Sequence, residues 1–154
     1  MTSNKNKLLN LNFENFFSGE VVAKGILILR YPVKSVKNLH VIFKGFFAHD
    51  VLKLKELYTE NEKKIIRNWK FKKKSNILYH GTEKNVKGTI IVNIEKSRLL
   101  MKYYFKLIIY NFTITVYVKD YMYLINEKEI INTTYVSKFG IKLAEVILLY
   151  TKKS

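Results

Sequence analysis

The chain has 154 residues, enough to bury a sizeable core as one domain without covalent or metal staples. It contains no cysteine, which excludes disulfides, thiolate metal ligands, a cysteine nucleophile and a lipid-modified N-terminal cysteine. Its 28 Lys and Arg against 12 Asp and Glu give a formal net charge of +16, while apolar stretches such as Ile26 to Leu29 and Val146 to Leu149 fall far short of the roughly 20 residues a membrane-spanning helix needs.

Residues 1–12 read as a polar N-terminal tail. Lys5 and Lys7 sit among Asn, Ser and Leu with no apolar run behind them to serve as a signal-peptide core, so a cytoplasmic location is expected. Residues 13–154 are expected to form one domain. Phe13 to Gly19 is an aromatic-rich lead-in, and period-2 patterns dominate from there onward. Val21, Ala23, Gly25, Leu27 and Leu29 alternate with Lys24 and Arg30; Leu39, Val41 and Phe43 alternate with His40 and Lys44.

Between Asp50 and Lys73, the Glu60-Asn61-Glu62 stretch must hold a turn, since Asn tolerates the left-handed backbone of tight hairpins. Whether the loop is Glu60-Asn61 or Asn61-Glu62, Leu52, Leu54, Glu56 and Tyr58 share a face with Ile65, Arg67, Trp69 and Phe71. The other face carries Lys53, Lys55, Thr59, Lys64, Asn68, Lys70 and Lys72, so water lies there and the aromatic face is inside. Glu56 and Arg67 are therefore expected as a buried ion pair, directly opposite or diagonal across the strands.

Further strands are expected at Ile77 to Gly81 and Gly88 to Ile94. Leu99, Met101, Tyr103, Phe105, Leu107 and Ile109 form the cleanest alternation in the chain, and Tyr110-Asn111 can turn it into a second alternating segment, Phe112 to Lys119. Tyr121 to Ile125, Glu129 to Val136 and Ile141 to Tyr150 complete the series, with Lys138 to Tyr150 open to either a strand or a short helix packed outside. About ten closely spaced strands without helical crossovers predict an all-β, up-and-down antiparallel sheet, closed into a barrel of about eight to ten strands.

Phe16-Phe17-Ser18-Gly19, Ala23-Lys24-Gly25, Glu56, Tyr58, Arg67-x-Trp69 and Tyr79-x-Gly81 resemble the bacterial domain of unknown function 3833 family. So do Asp120-Tyr121-Met122-Tyr123-Leu124, Asn132 and Ser137-Lys138-Phe139-Gly140. The resemblance covers nearly the whole chain and implies a lipocalin-like, calycin-type barrel with no assigned reaction. It departs at Lys119, where an acidic residue is usual, at Tyr121 in place of Trp, and at Asn61 in place of a turn glycine, so an acidic or metal-like cluster is not carried over. Family members often lie beside fatty-acid-modifying genes, which implies lipid-related ligands. Some resemble lipoproteins, a localisation this cysteine-free chain does not inherit.

No catalytic constellation emerges. His40, His49 and His80 are scattered without metal-ligand spacing, and no nucleophile elbow, phosphate loop or dinucleotide fingerprint occurs. No metal, cofactor or catalytic residue is expected. By parity Asp120 and Glu145 point inward in structural roles, and Tyr123 and Trp69 add aromatic walls. The candidate lumen residues are Glu56, Tyr58, Arg67, Trp69, Tyr103, Asp120 and Tyr123.

Three readings follow. The first, preferred, is a carrier or sensor holding a small hydrophobic or amphipathic, lipid-like molecule in the lumen. The second is a non-enzymatic interaction protein whose Lys-rich exterior contacts an anionic membrane or nucleic acid. The third is an enzyme using Glu56, Arg67 or Asp120, which requires an open lumen and a carboxylate of strongly perturbed pKa. Nucleic acid is not expected as a partner: only Arg30, Arg67 and Arg98 among the basic residues are arginine, and the abundance of Lys, Ile and Asn points to AT-rich coding rather than phosphate recognition.

Overall fold

Alternation of apolar and polar residues becomes strand almost wherever it occurs. In the computed structural model, which describes residues 9–109 and 111–153, ten strands follow one short helix. They are β1 (Gly19–Leu29), β2 (Ser35–Ala48), β3 (Val51–Glu60), β4 (Lys63–Lys73), β5 (Leu78–Thr82), β6 (Val86–Glu95), β7 (Arg98–Ile109), β8 (Phe112–Asn126), β9 (Glu129–Lys138) and β10 (Ile141–Lys152). Each pairs antiparallel with its sequence neighbours, and β1 also pairs with β10, closing the barrel. The fold is the expected all-β, up-and-down barrel.

Left-handed residues make the turns. Asn61 (φ 53°) lies in a two-residue Asn61-Glu62 loop, with Glu60 opposite Lys63 and Glu56 directly opposite Arg67. Phe139 (φ 51°) and Gly140 (φ 77°) turn β9 into β10, so Lys138 to Tyr150 resolves as strand rather than helix. Asn111 (φ 69°) sits in the expected β7–β8 turn; its predicted companion Tyr110 lies outside the described residues. Tyr121 to Ile125 is not a separate strand. With no Gly or Pro to break it, β8 runs straight through Lys119 and Asp120 to Asn126.

The lead-in is a helix, α1 (Phe13–Phe17), and it closes one end of the barrel. Asn12 caps it by accepting from the Asn15 amide at 3.1 Å. Phe13 packs edge-to-face on Phe17, Phe71 and Tyr79 at centroid distances of 5.4, 5.0 and 5.1 Å, and Phe17 reaches Phe43 and Tyr150. The helix approaches β2 so closely that a Cβ at Gly45 would lie 1.7 Å from the Phe17 carbonyl oxygen. Lys152 Nζ donates to the carbonyls of Asn15, Phe16 and Ser18 at 3.0, 3.0 and 2.5 Å, tying the last strand to the orphan acceptors of the helix. Glu14 is ion-paired to Lys73 at 2.6 Å, and the Leu11 amide donates to the Lys96 carbonyl at 2.8 Å. The β2–β3, β4–β5, β6–β7 and β8–β9 connections surround this closed end; the other five connections surround the opposite end.

Truncating Phe13 removes a fully buried ring from that plug. Phe13→Ala is expected to cost about 3 to 5 kcal/mol in chemical denaturation; a loss below about 1 kcal/mol would show that the helix is a loose cover rather than part of the core.

Candidate functional site: the barrel lumen

The aromatic plug fills only one end. Above it lies a cavity of about 720 Å³, walled mainly by apolar side chains such as Leu27, Ile65, Leu107, Ile114 and Val146, and reaching the mouth at Tyr31, Lys63, Phe112 and Lys138. Inward parity of the strands places two polar groups in this wall.

The first sits on the β3–β4 hairpin. Arg67 Nη1 and Glu56 Oε1 are 3.9 Å apart, and the side chains are only 18% and 10% exposed, so the expected pair is present but loose. The tighter link is Trp69, whose Nε1 donates to the same Glu56 oxygen at 2.8 Å. The guanidinium lies over the rings of Tyr58 and Phe105, at 5.0 and 5.2 Å from their centroids. Tyr58 donates its hydroxyl to Glu60 at 3.1 Å. Burial pushes the Glu56 carboxyl above its ordinary range, outweighing the opposing pull of Arg67 and the Trp69 hydrogen bond.

The second group joins β8, β9 and β10. Asp120 stands opposite Thr134. Its Oδ1 accepts from Asn132 Nδ2 and, at 3.2 Å, from Thr134 Oγ1. Asn132 Nδ2 also donates to the Tyr121 carbonyl at 2.8 Å, while Asn132 Oδ1 accepts from the Tyr150 hydroxyl at 3.1 Å. Burial pushes Asp120 up to about 7 despite its two hydrogen bonds. The phenols of Tyr103 and Tyr150, buried beside it, are held well above their ordinary value, chiefly by the same desolvation.

Six of the seven expected lumen residues, Glu56, Tyr58, Arg67, Trp69, Tyr103 and Asp120, line the cavity. Tyr123 does not. It lies an odd number of residues from Asp120 and Met122, so the pleat turns it outward, where it is 39% exposed and stacks on Tyr121 at 6.3 Å. Glu145 is also outside, paired with the exposed Arg30 at 3.1 Å. A register shift between Lys142 and Ala144 switches the inward parity of β10 from Leu143 to Ala144, Val146, Leu148 and Tyr150. Asn132, Thr134 and Tyr150 were not among the expected site residues. The available signal was parity: on β9, Ile130, Asn132, Thr134 and Val136 share one face, so the first buried apolar residue carries the polar pair inward with it.

Two titration tests follow. Folded Asp120 keeps its proton to about pH 7, whereas its ordinary value is 3.8. Folding therefore takes up a proton between those limits, and stability falls as pH rises across that window. Asp120→Asn removes this slope. Its stability relative to the parent should rise between pH 4 and 7 by at most about 4 kcal/mol, then level off; a pH-independent difference in denaturation midpoints would place Asp120 in water. Arg67→Leu should cost about 3 to 5 kcal/mol where Glu56 is left charged and alone, and the cost should shrink as pH falls, since burial raises the Glu56 carboxyl above its ordinary range and makes it easier to protonate. A cost that does not change with pH would refute the burial of the pair.

Among the described residues no helix is long and apolar enough to cross a membrane. The barrel is similar to the solved S-type phycobiliprotein lyase CPES from Guillardia theta, with a TM-score of 0.66 over 94% of each chain at 6% sequence identity, a likeness of fold alone. No curated protein matches the sequence. The fold is thus a lipocalin-like barrel, and the model of the DUF3833 family, described as a protein of unknown function, matches residues 1–152, so the chain belongs to that family.

Proposed function

We propose that the protein is a carrier or sensor that holds one small amphipathic, lipid-like molecule in the lumen, its apolar part along the upper wall and an acidic head at Arg67. The observation that carries this reading is the cavity itself: about 720 Å³, open at one end, apolar, with a few convergent polar groups, as small-molecule sites usually are. The choice of head group rests on Arg67. Its guanidinium is 3.9 Å from Glu56, and Glu56 is pushed toward its protonated form. A ligand carboxylate would complete the neutralisation that Glu56 supplies only in part, with the bidentate geometry arginine favours.

The same lumen has one feature an enzyme would need, a carboxylate near 7 at Asp120. The carrier reading is preferred because Asn132 and Thr134 already engage that carboxylate from its own wall.

The test uses cis-parinaric acid and its methyl ester as fluorescent probes. The acid is expected to bind one per chain, more tightly than the ester. Arg67→Gln should weaken the acid by about tenfold, equivalent to about 1.4 kcal/mol, and leave the ester unchanged. Val136→Trp/Val146→Trp, which fills the upper lumen, should abolish both while the fold persists by circular dichroism. Binding that survives the double tryptophan variant, or no binding at all, overturns the reading.

A further inference from the structure

The mouth of the barrel is not uniform. Because β1 pairs with β10 and β9 with β8, the β1–β2, β9–β10 and β7–β8 connections stand side by side around one half of the opening. All three carry large apolar side chains in water: Tyr31 and Val33 on the first, Phe139 and Ile141 on the second, Ile108 and Phe112 on the third. Phe139 is 90% exposed, Ile108 78%, Phe112 72% and Val33 71%. The other half, formed by the β3–β4 and β5–β6 connections, presents Glu60, Asn61, Glu62, Glu83 and Lys84 at its tips, and its large exposed apolar residue, Ile66 at 58%, stands on the outer face of β4 below the tip.

Exposed lysines lie on both halves, but Lys63, Lys64 and Lys84 share the polar half with Glu60, Glu62 and Glu83. Lys34, Lys106 and Lys142 are exposed on the apolar half, and Lys138 lies 4.7 Å from the centroid of the Phe139 ring. The nearby carboxylate Glu145 is bound to Arg30, and Glu60 to Lys37 at 3.1 Å. Tyr31, Phe112 and Lys138 also line the lumen entrance. Exposed apolar side chains gathered at one site mark an interaction surface.

We propose that this half of the mouth docks on an anionic lipid bilayer, so that the lumen opens directly onto the membrane. The exposed rings and aliphatic side chains sit on three separate tips with lysines beside them, and a bilayer boundary accepts apolar side chains in any such arrangement. The lysines flank them at the level of the phosphates, with their alkyl stems along the apolar zone. The docking stands on the rim alone; that the lumen exchanges its ligand there rests on the carrier reading above.

Sedimentation with phosphatidylcholine vesicles, with and without phosphatidylglycerol, tests it. Binding is expected only to the anionic vesicles, and should fall at least about tenfold between roughly 0.05 and 0.5 M salt as surface charges are screened. Val33→Ser/Phe139→Ser and Lys34→Glu/Lys142→Glu should each weaken it by about tenfold, while Phe46→Ser, an exposed ring near the closed end, should not. All four positions of the two double variants are exposed, and melting curves confirm that the fold persists. Equal sedimentation of rim and Phe46 variants, absence of vesicle binding, or binding to DNA in its place overturns the proposal. Parinaric acid binding in vesicle-free solution separates the two readings. If the acid fails to bind while vesicles still do, the carrier falls and the docking stands; if the acid binds and vesicles do not, the docking falls and the carrier stands.

Discussion

The antiparallel pairing of β1 with β10, running from Val21 against Lys152 to Leu29 against Ala144, closes the sheet on itself, and the interior depends on it. Without that seam both strands would be edges, with unpaired amides and carbonyls inviting another chain. With it, each strand has one face toward water and one toward a shared enclosure. Eight strands already give an interior that side chains can fill or that can hold one small ligand; ten leave more room. Here α1 fills one end with Phe13, Phe16 and Phe17, and the rest stays open. Lys152 belongs to both features, pairing with Val21 in the seam and binding the carbonyls of the helix that plugs it. Closure and plugging are thus mechanically linked through one residue at the end of the last strand.

Enclosure sets the chemistry of the polar groups inside. Glu56 and Asp120 are given mostly neutral donors: Trp69 for the first, Asn132 and Thr134 for the second. Among the described residues Arg67 is the one full positive charge that pulls appreciably on either, and it acts from 3.9 Å on Glu56. Neutral donors satisfy a buried carboxyl without fully stabilising its ionised form, so desolvation prevails and both acids sit above their ordinary range. Tighter pairing with lysine would have held them ionised. The lumen wall therefore carries a carboxyl, Asp120, that takes up or releases its proton near neutral pH.

How much of this was legible in the sequence depended on whether strand parity survived. On β3 and β4, alternation of lysine with apolar and aromatic residues was unbroken and a two-residue loop preserved the pairing of faces. The inside position of Glu56, Arg67 and Trp69 could therefore be read before the exact loop was known. On β10 the register shift after Lys142 inverted the faces, and Glu145, grouped with Ile141 and Leu143 by simple alternation, came out on the surface. Tyr123 failed for a plainer reason: placing Asp120 inward with Val116 and Val118 already committed Tyr123 to the outside. The α1 plug was unreadable because five residues give no helical period; its cues were a capping Asn12 and a cluster of Phe, which fit a strand entry equally well. The Asp120–Asn132–Tyr150 network joins three strands, and no local pattern announces which polar residues of different strands will share a layer.

The position of the acids also bears on the strong positive charge. Glu14, Glu56 and Asp120 are turned inside or into the plug, and Glu60, Glu95 and Glu145 are each bound to a basic side chain. The Asp120 carboxyl, raised to about 7, makes the folded molecule more positive near neutral pH than its formal +16. A closed barrel has no edge for lysine to protect, so edge protection does not account for the excess. On the outward faces of β3 and β4, Lys53, Lys55, Lys64, Lys70 and Lys72 recur evenly wherever a strand faces water, as a bias in composition would place them. Such a bias does not account for the mouth. A bias in composition would spread apolar side chains among all five hairpin tips, yet three adjacent tips carry them, while the other two carry carboxylates together with Lys63, Lys64 and Lys84. It is therefore the one-sided gathering of exposed apolar side chains at the open end, more than the lysines around it, that needs a reason beyond composition.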